Sequence, residues 1–195
     1  MSGGLRIAGA ASAAAVLAAT AGGVAYFEGV IPHTYRDPVG IPTACAGETG
    51  PHIRMGQTYT LDQCMAMLDS SLARHWRGLE SCADAELTIN QAAALLSWTF
   101  NVGAGAACGS TLVRMLNSGA PAELWCHQLT RWTYATKLGI KLQLPGLVKR
   151  RASELSMCLY GVWDIPALDR EPVPEPAPPR TTVACTRARA GEMPT

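Results

Sequence analysis

In the stretch YFEGVIPHTYRDPVGIPTACAGETG, residues 26–50, Glu28 is followed after eight residues by Asp37 and after five more by Thr43. Cleaving a glycosidic bond needs a proton donor for the leaving oxygen and a second carboxylate at the anomeric carbon, so two carboxyls across a cleft are the minimum set. Glu28 follows an apolar run, a setting whose desolvation favours the protonated carboxyl that a general acid requires. Asp37, between Arg36 and Pro38 in a polar loop, suits the ionised partner, and the Thr43 hydroxyl can hold a water against it. A different chemistry, Cys45 as a nucleophile with His52 as its base, has no supporting motif around it.

These residues need elements to hold them. Residues 7–27 carry no charge for 21 positions but are only weakly apolar, with ten Ala and three Gly. As a helix the run is long enough for a bilayer core of roughly 30 Å. It reads as a weak membrane anchor first, then as a signal peptide cleaved after the ATA at Ala19–Ala21, then as an Ala-rich helix packed on the domain. Downstream, Thr60 to Gln63 and Thr88 to Gln91 form two capping boxes that open helices, the second a buried one ended by Gly103 and Gly105. Ser110 caps a short helix with Gly119 past its end, Pro121 starts another, and a last helix closes at Gly161. The Gly-rich segment 39–59 is the expected site of a small antiparallel sheet or hairpin. From residue 165 seven of the last 31 residues are Pro, a composition expected of a disordered tail. The chain therefore divides into 1–27, 28–164 and 165–195, with an α+β, mostly α domain in the middle.

The formal charge of +1 excludes the strongly basic class of nucleic-acid binders. Six basic residues and no acidic one lie between Arg131 and Arg151, which predicts a local cationic surface, either solvated or meeting an anionic polymer. The seven cysteines fit neither a CxxC pair nor a zinc spacing, so no metal is expected and an oxidising compartment is. Six of them can form three disulfides, with Cys185 in the tail left over.

The Glu28, Asp37 and Thr43 spacing resembles the catalytic Glu-Asp-Thr triad of phage-type lysozymes. Further strings resemble that family in its own order: YRDPVGIPTACAGETG, LSWTFNVGAGA at the end of the long central helix, STLVRMLNSG, RWTYA, and GLVKRRASELSMC, like the terminal helix of lambdoid phage endolysins. Together they span about residues 28–158. The resemblance implies a two-lobed fold, a small lobe with a β-hairpin and a larger helical lobe joined by a long helix, with the cleft between them. It implies a muramidase hydrolysing the β-1,4 bond between N-acetylmuramic acid and N-acetylglucosamine in peptidoglycan, with inversion and without a cofactor. By position Glu28 becomes the general acid, Asp37 and Thr43 position and activate water, and Phe100 and Asn101 line the substrate cleft. It also implies a signal-anchor-release segment at 7–27, holding a monomer on the periplasmic face of the host inner membrane before release into the periplasm. The sequence departs from the family at Ala46 and Glu48, where related endolysins often carry His. A lytic transglycosylase, or an inactive membrane-tethered peptidoglycan binder, are the competing readings.

Overall fold

The computed structural model describes residues 4–9, 12–37, 40–137 and 140–165; the predicted tail and Cys185 lie outside them. A two-residue strand β1 (Arg6–Ile7) precedes helix α1 (Ala13–Glu28), which Ser12 caps by accepting a hydrogen bond from the Ala15 N–H. The helix has 16 residues, about 24 Å at 1.5 Å per residue. The expected 21-residue span is thus shortened, because Ser12 starts the helix late and Arg6–Ile7 is extended. Among the described residues no helix is long and apolar enough to cross a membrane. Val16, Thr20, Gly23 and Val24, spaced as one helical face, are buried, and α1 packs into the main core. Thr20 satisfies its buried hydroxyl by donating to the Val16 carbonyl at 2.7 Å.

Gly29, at φ 72°, stops α1 directly after Glu28 and turns the chain into a small antiparallel sheet, β2 (Ile31–Arg36), β3 (Pro42–Cys45) and β4 (Glu48–Thr49). The register sets Tyr35 opposite Thr43 and Thr43 opposite Thr49. The sheet thus begins at Ile31, earlier than the glycine-rich segment suggested. Ala44, Cys45, Ile53 and Cys64 make its own small core.

Helix α2 (Leu61–Glu80) opens with the predicted capping box, Thr60 and Gln63 each closing on the other's backbone. Cys64 on its first turn belongs to the small core, and Leu68, Leu72, Trp76 and Leu79 belong to the large one. This helix therefore joins the two lobes. The segment ending LSWTFNVGAGA is the buried central helix of the larger lobe. It forms α3 (Ile89–Val102), preceded by a strand β5 (Glu86–Leu87) that pairs in parallel with β1. Ala92 to Thr99 are all buried, as the second capping box and the apolar run predicted.

Around α3 lie α4 (Ala104–Cys108), α5 (Thr111–Asn117), α6 (Ala122–Cys126) and a 3-10 turn (His127–Arg131). Ser110 caps α5 as expected, accepting from the Val113 N–H at 3.0 Å. A second antiparallel hairpin follows, β6 (Tyr134–Lys137) and β7 (Ile140–Gln143), outside the one segment where a sheet was predicted. Its alternation is short, and every described residue of β7 is exposed, so the apolar pattern of a half-buried strand is missing. Helix α7 (Pro145–Tyr160) closes the fold at Gly161.

Three disulfides join neighbours in sequence: Cys45–Cys64, Cys82–Cys108 and Cys126–Cys158. The first clamps β3 to the start of α2, with Cys45 at φ 56°, a left-handed conformation that only this non-glycine residue adopts among those described. It also removes the Cys45 thiol that a cysteine nucleophile would need.

Candidate active site

Glu28 is delivered by the C terminus of α1, and its side chain keeps 27% of its accessible surface. The apolar wall expected beside it is instead a cation. Arg150 on α7, 5% exposed, donates from Nη1 to Glu28 Oε1 at 2.5 Å and stacks over the Phe27 ring at 5.5 Å. Its remaining donors reach inward, Nε to Glu154 Oε1 at 3.1 Å and Nη2 to the Ser97 carbonyl at 3.2 Å. Glu154 is fully buried, accepts from Ser97 Oγ at 2.8 Å, and faces Arg151 Nε at 3.1 Å through Oε2. Burial pushes the Glu154 carboxyl up from its ordinary range, while the two guanidiniums and the Ser97 hydroxyl pull against it. Burial pulls Arg151 down to about 10, opposed by Glu154.

Two of the six residues in the predicted cationic run, Arg150 and Arg151, are thus 4% and 1% exposed and neutralised by carboxylates. They are core, not surface. The signal was present in the sequence, since Glu154 stands at i+4 from Arg150 and i+3 from Arg151 on one helix face.

Arg151 Nη2 donates to Asn101 Oδ1 at 2.7 Å, so the same buried network positions the last turn of α3. Phe100 meets the His75 ring at 5.0 Å between centroids, and His75 Nδ1 lies 2.8 Å from the Ser71 carbonyl. Glu28, Phe100 and Asn101 line one open cleft of about 360 Å³ with Ala46, Gly47, Glu48, Thr49, Ser71, Arg74 and His75. Three predicted residues from α1 and α3 are therefore brought together between the lobes.

Asp37 and Thr43 sit on the same hairpin as each other and are not among the residues lining that cleft. Asp37 closes the β2–β3 turn: its N–H donates to the Ile41 carbonyl at 3.0 Å, and its Oδ1 accepts from the Ile41 N–H at 2.8 Å. Thr43 is 4% exposed and donates its hydroxyl to the Ile41 carbonyl at 3.0 Å. Sequence reasoning missed Arg74 and gave no role to Glu48, which is 12% exposed and lies 3.4 Å from Arg74 and 3.5 Å from His52. Arg74, at i+3 from Ser71 and donating to its Oγ at 3.1 Å, is a cation on the α2 wall that the apolar spacing of that helix did not single out.

The sequence profile of the phage lysozyme family matches residues 25–154. The chain belongs to the phage lysozyme family. The SAR-endolysin of Bacteriophage PS119 is 40% identical over 153 residues, which cover 78% of this chain and 89% of that protein. The SAR-endolysin of Enterobacteria phage P21 is also 40% identical, covering 78% and 90%. Among solved structures, an endolysin from Escherichia coli O157:H7 phage FAHEc1 superposes with a TM-score of 0.69 at 26% identity, covering 80% of this chain and 99% of that one. The muramidase domain of SpmX from Asticaccaulis excentricus gives 0.67 at 30% identity, covering 76% and 96%. The family match takes in every candidate site residue from Glu28 to Asn101 and the Arg150–Glu154 network behind them. It begins at residue 25, so most of α1 precedes it.

Proposed function

We propose that this phage lysozyme is an endolysin that hydrolyses the β-1,4 bond between N-acetylmuramic acid and N-acetylglucosamine in bacterial peptidoglycan, for host cell lysis. The observation that carries the reading is Glu28, projected from the end of α1 into the interlobe cleft it shares with Phe100 and Asn101 and held through Oε1 by Arg150. Glu28 gives its proton to the glycosidic oxygen from the oxygen that Arg150 does not hold. Phe100 offers a ring to a sugar face, and Asn101, oriented by Arg151, offers its amide to the N-acetyl groups. A water attacks the anomeric carbon from the opposite face as the leaving oxygen takes the proton, Asp37 accepts the water's proton, and Thr43 holds that water. The expected outcome is inversion.

Asp37 and Thr43 act in this reaction if the β2–β3 hairpin that carries them meets the bound glycan strand. A lytic transglycosylase is the reading favoured if it does not, because that chemistry uses the acid without a water-activating carboxylate. Digestion of purified peptidoglycan separates the two. Muropeptides with reducing ends, α-configured at the moment of cleavage, support inverting hydrolysis, and 1,6-anhydro ends support the transglycosylase.

Residues 1–27 are proposed as a tether and 28–164 as the catalytic domain, with 165–195 a tail outside the reaction. The uncharged run at 7–27 holds the monomer at the periplasmic face of the inner membrane, and the periplasmic enzyme is the form in which α1 lies against the domain. A tethered α1 withholds Glu28 from the cleft. Leu at Gly22 and Ala18 should keep the chain in the membrane fraction and suppress lysis; unchanged lysis overturns the tether.

A further inference from the structure

Because α1 ends at Glu28, whatever fixes the register of α1 fixes the acid. One contact does so from outside the family-matched residues on both sides. Trp163, in the segment after α7, donates its Nε1–H to the Ala19 carbonyl at 2.9 Å. Its ring rests on Gly23, one helical turn further along: a methyl group there would stand 2.7 Å from Cε2, 2.8 Å from Cδ2 and 2.9 Å from Cζ2. Gly23 is buried inside a helix, where glycine costs about 1 kcal/mol relative to alanine, and its backbone does not require glycine. The ring does. The Ala19 carbonyl is also the acceptor that the helix assigns to the Gly23 N–H, so a bare Cα at 23 lets the indole approach that carbonyl. Notch and hydrogen bond are two halves of one fit.

We propose that Trp163 is a positioning residue for Glu28: its indole, seated in the Gly23 notch and bonded to Ala19, locks α1 against sliding and rotation so that the acid meets Arg150 and the cleft. The proposal rests on reading Glu28 as the general acid. A slip of α1 by one residue would move its end by about 1.5 Å and turn it by about 100°. A misplacement of about 1 Å at a reacting group costs on the order of a hundredfold in rate.

The test uses the full chain, with kcat and KM measured on soluble peptidoglycan fragments and hydrogen exchange followed by mass spectrometry. W163A should lower kcat by about tenfold to a hundredfold with KM within about twofold. Amides of residues 19–28 should exchange faster while α3 keeps its protection. W163F keeps a ring in the notch and loses only the N–H, so it should stay within about threefold of the wild type. G23A, which expels the ring, should reproduce W163A, and the G23A/W163A double variant should be no worse than W163A alone, because the added methyl then meets no indole. G23A carries the same test if W163A does not fold. Unchanged kcat in W163A, multiplying effects of the two substitutions, or faster exchange spread evenly through α3 and α7 would each overturn the positioning role. If the wild-type chain itself cleaves nothing, it is the reading of Glu28 that fails.

Discussion

Arg150→Met removes the guanidinium that ties the acid to the core while keeping the length and most of the volume of the stem. Three bonds are lost, to Glu28 Oε1 at 2.5 Å, to Glu154 Oε1 at 3.1 Å and to the Ser97 carbonyl at 3.2 Å. Glu154, fully buried, is left with Arg151 and Ser97. Breaking a buried ion pair by deleting one partner costs about 3–5 kcal/mol, chiefly the burden of the charge left behind. The arm to Glu28 is partly solvated and adds less, about 1 kcal/mol at most. Methionine fills the space of the stem but not that of the buried guanidinium, so a small cavity cost adds to the lost bonds. At about 2–4 °C per kcal/mol for a chain of this size, the melting temperature should fall by roughly 6–24 °C, read by circular dichroism. Arg150→Lys keeps the charge but lacks the planar fork that reaches three acceptors, and should fall between. Wall clearing measured well below the melting transition should drop in Arg150→Met, because Glu28 loses its hold. A melting temperature within about 2 °C of the wild type would refute the claim that Arg150 links the acid to the core.

Other consequences follow from the same geometry. Cys45→Ser with Cys64→Ser opens a loop of sequence separation 19, and should cost about 3 kcal/mol in urea unfolding, with the small lobe exchanging amides first. Asp37→Asn should reduce wall clearing by about a hundredfold or more, whereas Glu48→Gln, a carboxylate already engaged by Arg74, should cost less than about tenfold; the reverse order would move the second carboxyl role to Glu48. Because burial raises Glu154 above its usual value near 4.5, between that value and the raised one the folded chain binds a proton there that the unfolded chain has released, and above the raised one Glu154 is the carboxylate that faces Arg150 and Arg151. That contribution to stability is complete below the ordinary carboxylate range and is lost as pH rises through the raised value. Melting curves against pH should show this slope in the wild type and lack it in Glu154→Gln.

Local chemistry made much of this molecule readable before its structure. Thr60, Gln63, Thr88 and Gln91 announce two helices because a capping box satisfies backbone donors within four residues. Glu28 stood out as a candidate by its spacing to Asp37 and Thr43, but its partner Arg150 lies 122 residues away, and no local pattern couples them. Like-charged neighbours suggest solvent, so Arg150 and Arg151 read as surface; of their counter-charges, Glu154 was within reach on the same helix, whereas Glu28 comes from α1 and only tertiary packing brings it to Arg150. The β6–β7 hairpin escaped for the opposite reason: Ile140 and Leu142 are exposed, so burial left no mark on the sequence. The uncharged run at 7–27 showed its composition but not that Ser12 would begin the helix, nor that Gly23 would receive Trp163.

The most direct test of the account is Glu28→Gln assayed by turbidity of purified cell walls, with the melting temperature measured alongside. Glutamine keeps the shape and an acceptor for Arg150 but cannot donate the proton, so clearing should fall by about a hundredfold to ten-thousandfold while the fold melts within a few degrees of the wild type. Clearing at the wild-type rate by the folded variant would contradict the account.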